Sequence, residues 1–396
     1  MKKKVLYIHQ YFNTPEDNGS IRSYMIAKAF ISYGYDVEML TTTRLRKDLP
    51  KYIEGIKLTW IKSDYNNHMS YINRVFKFLH FSILSSYYVL VKKYDFIYAT
   101  STPITIGIPA LLAKTLKRKK FIFEVRDVWP EVPIEMGIIK SMIIKKISIC
   151  LASQLYRKAT ILVPLSSGMK KKILDNYNFD YNKTVVVENG SSEKFFELSK
   201  NDIKNCKKTF NLSNQKKNII YPGTFGAVNN LEYVLRLAAR LINTDICFYL
   251  VGTGSEEKKL KKLAIRNKTL NNNVFFLEPV SKTLIFKLIK SCDALISTVK
   301  PIPALYDNSA NKFFDGLRAG KMIIINHPGW QSDFINEAQC GLSLSTDLDL
   351  ASKEIKKAFY KNDYVKMGLN AKLNSEVFEY NELFSKLMNR INKEIL

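Results

Sequence analysis

The feature that most constrains this chain is an alternation. Short runs of β-branched and aromatic residues are separated, repeatedly, by stretches with helical periodicity. In the first half Val5–Ile8, Asp36–Thr41, Ile56–Ile61, Phe96–Ala99, Phe121–Val125 and Ile161–Pro164 read as strands. Ile21–Tyr33, Ile72–Val91, Ile104–Leu116 and Ile138–Lys158 read as the helices between them, and Thr184–Val187 as one more strand. Strands this continuously apolar are covered on both faces, which is the signature of a parallel α/β sheet. A polar stretch rich in Lys, Asn and Ser, Lys200 to Asn218, then interrupts the pattern. Beyond it strands are expected at Asn218–Tyr221, Cys247–Val251, Val274–Leu277, Ala294–Ser297 and Met322–Ile325. Leu231–Leu241, Glu256–Asn267, Lys282–Ser291 and Ala310–Leu317 are the helices of this second series, and helical patterns from Leu350 through Val377–Leu396 close the chain. The reading is two α/β domains, the change falling near residues 200–215, with a cleft between them and helix N-termini at the strand ends.

Charge narrows the partners. The 396 residues carry 61 Lys and Arg against 36 Asp and Glu, a net +25. Such a surface favours polyanions: nucleic acid, an anionic membrane or phosphate-bearing small molecules. Cys150, Cys206, Cys247, Cys292 and Cys340 are odd in number and widely spaced, and His9, His68, His80 and His327 are scattered. A disulfide framework and a sequence-local metal site are therefore not expected, and a reducing compartment fits. The longest apolar stretch, Phe78 to Val91, is broken by His80, Ser82, Ser85 and Ser86, too short to span a bilayer. It reads as a core helix, the alternative being a helix at an interface.

Several loops have the composition of binding sites. Thr14 to Ser20 leads into a helix, with Gly19 allowing close backbone approach and Arg22 in the first turn, a suitable phosphate contact; a capped surface helix with a solvated Arg is the stronger reading of this loop taken alone. Glu124-Val125-Arg126-Asp127-Val128-Trp129-Pro130-Glu131 crowds charge at a strand's C-terminal end, where a carboxylate can orient a hydroxyl, the alternative being an Arg126–Asp127 or Arg126–Glu131 ion pair that holds the loop. Glu188-Asn189-Gly190-Ser191-Ser192 reads equally as a turn or a functional loop. Tyr221-Pro222-Gly223-Thr224-Phe225-Gly226 is a plausible diphosphate cradle, and Val251-Gly252-Thr253-Gly254 a weaker one. Neither is a Walker loop. Asp307, Asn311, Lys312, Asp315 and Gly320 cluster around a short helix, in which Lys312 and Asp315 share a face. A local surface ion pair would account for Lys312 and Asp315 equally well.

Taken in order, these motifs resemble the retaining GT-B glycosyltransferases of glycosyltransferase family 4, over nearly the whole chain. The subgroup with Arg-Asp-Val-Trp-Pro-Glu (126–131) and Asn-Lys-Phe-Phe-Asp (311–315) looks like bacterial surface-polysaccharide enzymes, L-fucosamine transferase-like proteins included. The resemblance implies two Rossmann-like domains: an acceptor-binding one over 1–200, a nucleotide-sugar-binding one over 201–375, and a helix over 376–396 returning to the first. It implies donor contacts at Gly19, Arg22, Gly223, Thr224, Gly226, Gly252, Val280, Asn311 and Asp315, with Asp127, Lys312 and Asp307 closest to the chemistry. The family's paired acids, with seven residues between them, match Asp307 and Asp315, both shortened from Glu. The Arg and Lys with which many members grip the diphosphate are replaced by Thr224 and Asn229 or Asn230, and a His found in many members by Arg126 or Asp127.

The implied reaction is transfer from a nucleoside-diphosphate-sugar, by family frequency UDP-linked, with no metal or further cofactor. Between Lys114 and Lys172 fourteen Lys and Arg face four acids, and Ile138–Leu151 interleaves Ile and Met with Lys. That suits an anionic membrane surface, a polyprenyl-diphosphate-linked saccharide acceptor, and a peripheral location on the cytoplasmic face. Nucleic acid is not expected as a partner, for want of a motif. A non-catalytic polyanion-binding protein, a degenerate non-catalytic subunit and a GT-B-fold nucleotide-sugar epimerase are the alternatives.

Overall fold

The structure is a computed structural model that describes residues 2–43, 49–63, 69, 71–177 and 179–395; His68 lies outside them. The chain forms two compact units. Met1–Thr14, Ser20–Glu188 and Asn381–Leu396 make the first; Pro15–Gly19 and Asn189–Tyr380 make the second.

The first unit is built on seven strands: β1 (Lys4–Ile8), β2 (Asp36–Thr43), β3 (Tyr52–Ile53), β4 (Ile56–Lys62), β5 (Phe96–Thr100), β6 (Lys120–Val125) and β7 (Ile161–Pro164). Their order is β3-β4-β2-β1-β5-β6-β7. All pairings are parallel except β3 with β4, where Glu54 and Gly55 take left-handed φ in a two-residue hairpin turn. The strand order reverses between β1 and β5, so the loops after them flank the switch point where α/β sheets bind ligands. Below that edge Leu6, Ile8, Ile97, Phe121 and Phe123 join helix residues Phe81, Ala110, Ala113 and Leu155 in one buried core.

Two expectations change here. Thr184–Val187 is extended but is not a strand: the amides of Val185 and Val187 donate to Leu162 and Pro164 of β7, and Thr184 is an isolated bridge. It lies beside a strand only four residues long, too short a template for a full ladder. The helix Tyr71–Val91 is a core helix on one face only. Phe81, Ser85 and Val89 are buried, whereas Phe76, Ile83 and Tyr87 face outward.

The second unit has six parallel strands: β8 (Lys217–Pro222), β9 (Ile246–Val251), β10 (Val274–Leu277), β11 (Ala294–Ser297), β12 (Met322–Ile325) and β13 (Gly341–Ser343). Their order is β10-β9-β8-β11-β12-β13, reversing between β8 and β11. The polar stretch after residue 200 is not all linker. Lys200–Thr209 is a helix nucleated by a capping box, Ser199 and Asp202 bonding reciprocally to each other's amides. It buries little beyond Cys206, so it lacks the apolar stripe by which a helix is recognised in sequence. Asp347, in a sequence that imitates a metal-binding Asp-x-Asp, instead caps the helix Leu348–Tyr360 by accepting from the amides of Asp349 and Leu350.

Candidate functional site

In the second unit the loops after β8 and β9 are laced together by backbone bonds. The Gly223 amide donates to the Val251 carbonyl and the Phe225 amide to the Thr253 carbonyl, both at 2.9 Å. Gly252 has φ +146°, and a Cβ there would lie 2.0 Å from the Gly223 carbonyl oxygen. Gly252 is thus required by loop-on-loop contact, which explains the Gly-x-Gly without a dinucleotide fingerprint. The Thr224 carbonyl is held by the Tyr221 hydroxyl at 2.9 Å and the Asn229 side-chain amide at 2.8 Å. Gly226 begins the turn that leads, through left-handed Asn230, into the helix Leu231–Arg240. The outcome is a stiff, side-chain-poor rim at the C-terminal edge of the sheet.

Lys312 stands over this rim. A Cβ on Gly223, itself at φ +150°, would sit 3.2 Å from the lysine's Cε and Nζ. The ammonium lies 4.5 Å above the centre of the Tyr221 ring. Burial and the nearby Lys282 ammonium pull Lys312 down to about 8, against an upward pull from Asp315. Two cations are therefore forced into one region with one carboxylate. That imbalance favours an incoming anion.

Asp315 is buried and held from two sides: the Lys282 ammonium pairs with one carboxylate oxygen, and the Ser191 hydroxyl donates to the other at 3.0 Å. Asn189 reaches the same region, its side-chain amide donating to the Ser309 carbonyl. The undecided loop after Glu188 therefore serves this site. Lys282 went unremarked in the sequence, although a signal existed. It is the first residue of a helix capped by Ser281, where the helix dipole disfavours a cation; the pairing with Asp315 compensates. Val280 is half-buried just before that cap. Asn311 opens the helix that carries Lys312 and Asp315. Asp307 lies in the preceding loop, where its charge acts on the buried His327, whose ring stacks on Tyr306. Gly19 falls in the second unit, where the carbonyls of Pro15 and Asp17 accept from the amides of Thr283 and Lys282.

Arg22 is placed differently from a loop-borne phosphate ligand. Its guanidinium is 1% exposed and bonds the Glu124 carboxylate at 3.0 and 3.1 Å. It also donates to the carbonyls of Val187 and Glu188, and the Tyr98 hydroxyl donates to the same Glu124 oxygen at 2.7 Å. Arg22 thus ties β6 and the extended segment to the first helix of the first unit, so its donors face inward. Asp127, also in the first unit, follows β6 and accepts from Thr102 at 3.3 Å. Burial pushes its carboxyl up, partly offset by Arg126 and Thr102, leaving it a better proton acceptor than an exposed aspartate. Among the described residues no group of three or more His, Cys, Asp or Glu is arranged to hold a metal ion.

Two parallel-sheet α/β units, the second carrying a glycine-lined backbone rim, define a class of fold, and the solved structures agree on it. Sucrose-phosphate synthase from Thermosynechococcus elongatus superposes with a TM-score of 0.80 at 12% identity, covering 99% of each chain. The Anabaena protein HepE, in complex with UDP and glucose, gives 0.74 at 14% identity, covering 99% of this chain and 100% of its own. WaaG, a glycosyltransferase involved in lipopolysaccharide biosynthesis, gives 0.72 at 13%, covering 98% of this chain and 99% of its own. The fold is that of the GT-B glycosyltransferases. Residues 202–373 match the family described as glycosyl transferases group 1, and with the fold this supports a GT-B glycosyltransferase. No curated protein matches the chain by sequence.

Proposed function

We propose that the chain is a retaining glycosyltransferase that moves a sugar from a UDP-linked donor to a polyprenyl-diphosphate-linked saccharide, in the synthesis of a bacterial surface polysaccharide. The observation that carries this reading is Lys312 poised over the Gly223–Gly226 rim, with no ion pair of its own among the described residues and only the field of Asp315, already paired with Lys282, to offset its charge. In sugar transfer the anomeric C–O bond to the diphosphate breaks with its electron pair, so negative charge builds on the leaving group. Preorganised amides and a desolvated ammonium stabilise that charge most where it develops. Lys282 supplies a second cation near a rim that lacks the family's usual Arg and Lys. Asp315 is assigned to the ribose hydroxyls, Asp307 to the sugar and Asp127 to the acceptor hydroxyl. The acceptor oxygen forms its new bond on the face the diphosphate leaves, and its proton passes to the departing phosphate oxygen. Support for a UDP donor comes from HepE, solved with UDP-glucose, and for a polysaccharide context from WaaG.

The reading also takes the protein to be peripheral on the cytoplasmic face of the cell membrane. Among the described residues no helix is long and apolar enough to cross a membrane. Thermal unfolding with UDP, GDP, ADP and CMP tests the donor assignment. A ligand at 100 times its dissociation constant stabilises by about 2.7 kcal/mol. A shift with UDP alone, weakened in Asp315→Ala and Lys312→Ala, is expected; no shift with any nucleotide would reject the assignment.

A further inference from the structure

Three helices of the first unit, Tyr71–Val91, Gly107–Leu116 and Met142–Lys158, pack side by side over one face of its sheet. Their inner faces supply Phe81, Val89, Ala110, Ala113, Ala152 and Leu155 to the core. Outer helices of an α/β domain normally turn charge to water. These do not. Phe76, Ile83 and Tyr87 on the first are 66, 68 and 67% exposed, and Leu116 on the second is 65% exposed. On the third, Ile143 and Ile147 are 72 and 63% exposed, with Met142, Ile144 and Ile149 exposed beside them.

Charge on the same three helices has one sign. None contains an Asp or Glu, while Arg74, Lys77, Lys114, Lys145, Lys146, Arg157 and Lys158 are all cationic. Lys92, Lys93 and Lys140 lie just outside them. A protein partner would select against lysine at the core of such a face and would offer no reason to exclude every carboxylate. A leaflet of anionic lipid offers one, since it has acyl chains for the apolar groups and phosphates for the cations. The long helix Tyr71–Val91 exposes its apolar residues along its side, the geometry of a helix lying in the interface.

We infer that this three-helix face is inserted in an anionic bilayer, with Phe76, Ile83, Ile143 and Ile147 among the acyl chains and the lysines at the phosphates. The inference rests on the membrane-peripheral reading above and specifies its surface and depth. Insertion predicts binding that survives salt, because apolar burial is not screened as charge pairing is.

The test is flotation of the full chain with phosphatidylglycerol-containing vesicles and with pure phosphatidylcholine vesicles, at low and high salt. Binding to the anionic vesicles, with a fraction retained at high salt, is expected. Ile143→Ser with Ile147→Ser, and separately Phe76→Ser with Ile83→Ser, should each lower partitioning by about a hundredfold, at about tenfold per isoleucine or phenylalanine withdrawn. Lys145→Gln with Lys146→Gln should lower binding at low salt only. In Ile147→Trp, fluorescence quenching by bromine-labelled acyl chains beyond that of the unaltered chain, which holds Trp60, Trp129 and Trp330, reads insertion. No binding by the unaltered chain, equal binding by the serine variants, or an unquenched tryptophan overturns the inference. So does a concentration-dependent dimer that the serine variants dissolve, since a second copy would then cover the face. The UDP-induced thermal shift, measured on the same variants without lipid, reports separately on the fold and on donor binding.

Discussion

Replacing Lys312 by methionine should make the protein more stable and its donor binding worse. The lysine sits at about 8 against an ordinary 10.5. Its folded value is depressed, so between these two values the unfolded chain binds more protons and stability rises with pH. Below about pH 8 the full cost of holding the ammonium is present. A displacement of that size converts to about 3 kcal/mol at about 1.4 kcal/mol per unit. Lys312 keeps part of its surface in solvent, and its loss also removes the contact with the Tyr221 ring, worth about 1 kcal/mol. Methionine retains the stem and discards the charge, so a net gain of about 1–2 kcal/mol is expected at pH 7. UDP should bind about 10–100-fold more weakly, the worth of a charge-assisted phosphate bond. In the unaltered protein UDP affinity should fall as pH rises through about 8, because only the ammonium grips the diphosphate; in the variant that decline should vanish. Urea unfolding and titration calorimetry from pH 6.5 to 9.5 (roughly the span around the shifted value) measure both. A variant that is destabilised, or that binds UDP as tightly as the unaltered chain with the same pH profile, would refute the reasoning.

Lys282→Met strips a buried carboxylate, Asp315, of the cation paired with it, leaving the Ser191 hydroxyl and the unpaired field of Lys312. Removing one partner of a buried pair costs about 3–5 kcal/mol, which urea unfolding would register, and Asp315→Asn added to it should recover part of the loss. Arg22→Met should destabilise by a similar amount through orphaned Glu124; the readout is proteolysis within the first unit, with the UDP-induced shift retained. Gly252→Ala places a methyl 2.0 Å from the Gly223 carbonyl at a φ only glycine tolerates. The two loops must part, and UDP binding followed by calorimetry should be lost while the far-ultraviolet circular dichroism is unchanged.

The strands illustrate how far sequence reading reaches. Val274–Leu277, Ala294–Ser297 and Met322–Ile325 are legible residue for residue because each is a short apolar run bounded by turn formers. Lys200–Thr209 and the three-residue β13 were not, one being a polar helix held by its cap, the other a strand only because β12 lies beside it. The glycine loops and the Lys312–Asp315 helix were visible as local patterns. The partners of Asp315 were not, since Ser191 and Lys282 stand 124 and 33 residues away.

What the sequence determined by itself, then, is whatever depends on neighbours along the chain: two alternating α/β series, the glycine turns, the sign of the surface charge. Tertiary structure alone decided which charged groups are spent and which are left over. Arg22, a phosphate ligand by its local pattern, is consumed by Glu124 and two carbonyls. Lys312, by the same kind of pattern either a diphosphate contact or half of a surface ion pair, is left half-buried over a backbone rim with another cation nearby. The physical reason is that burial and Coulomb interaction depend on distance in space, which periodicity along the chain does not encode.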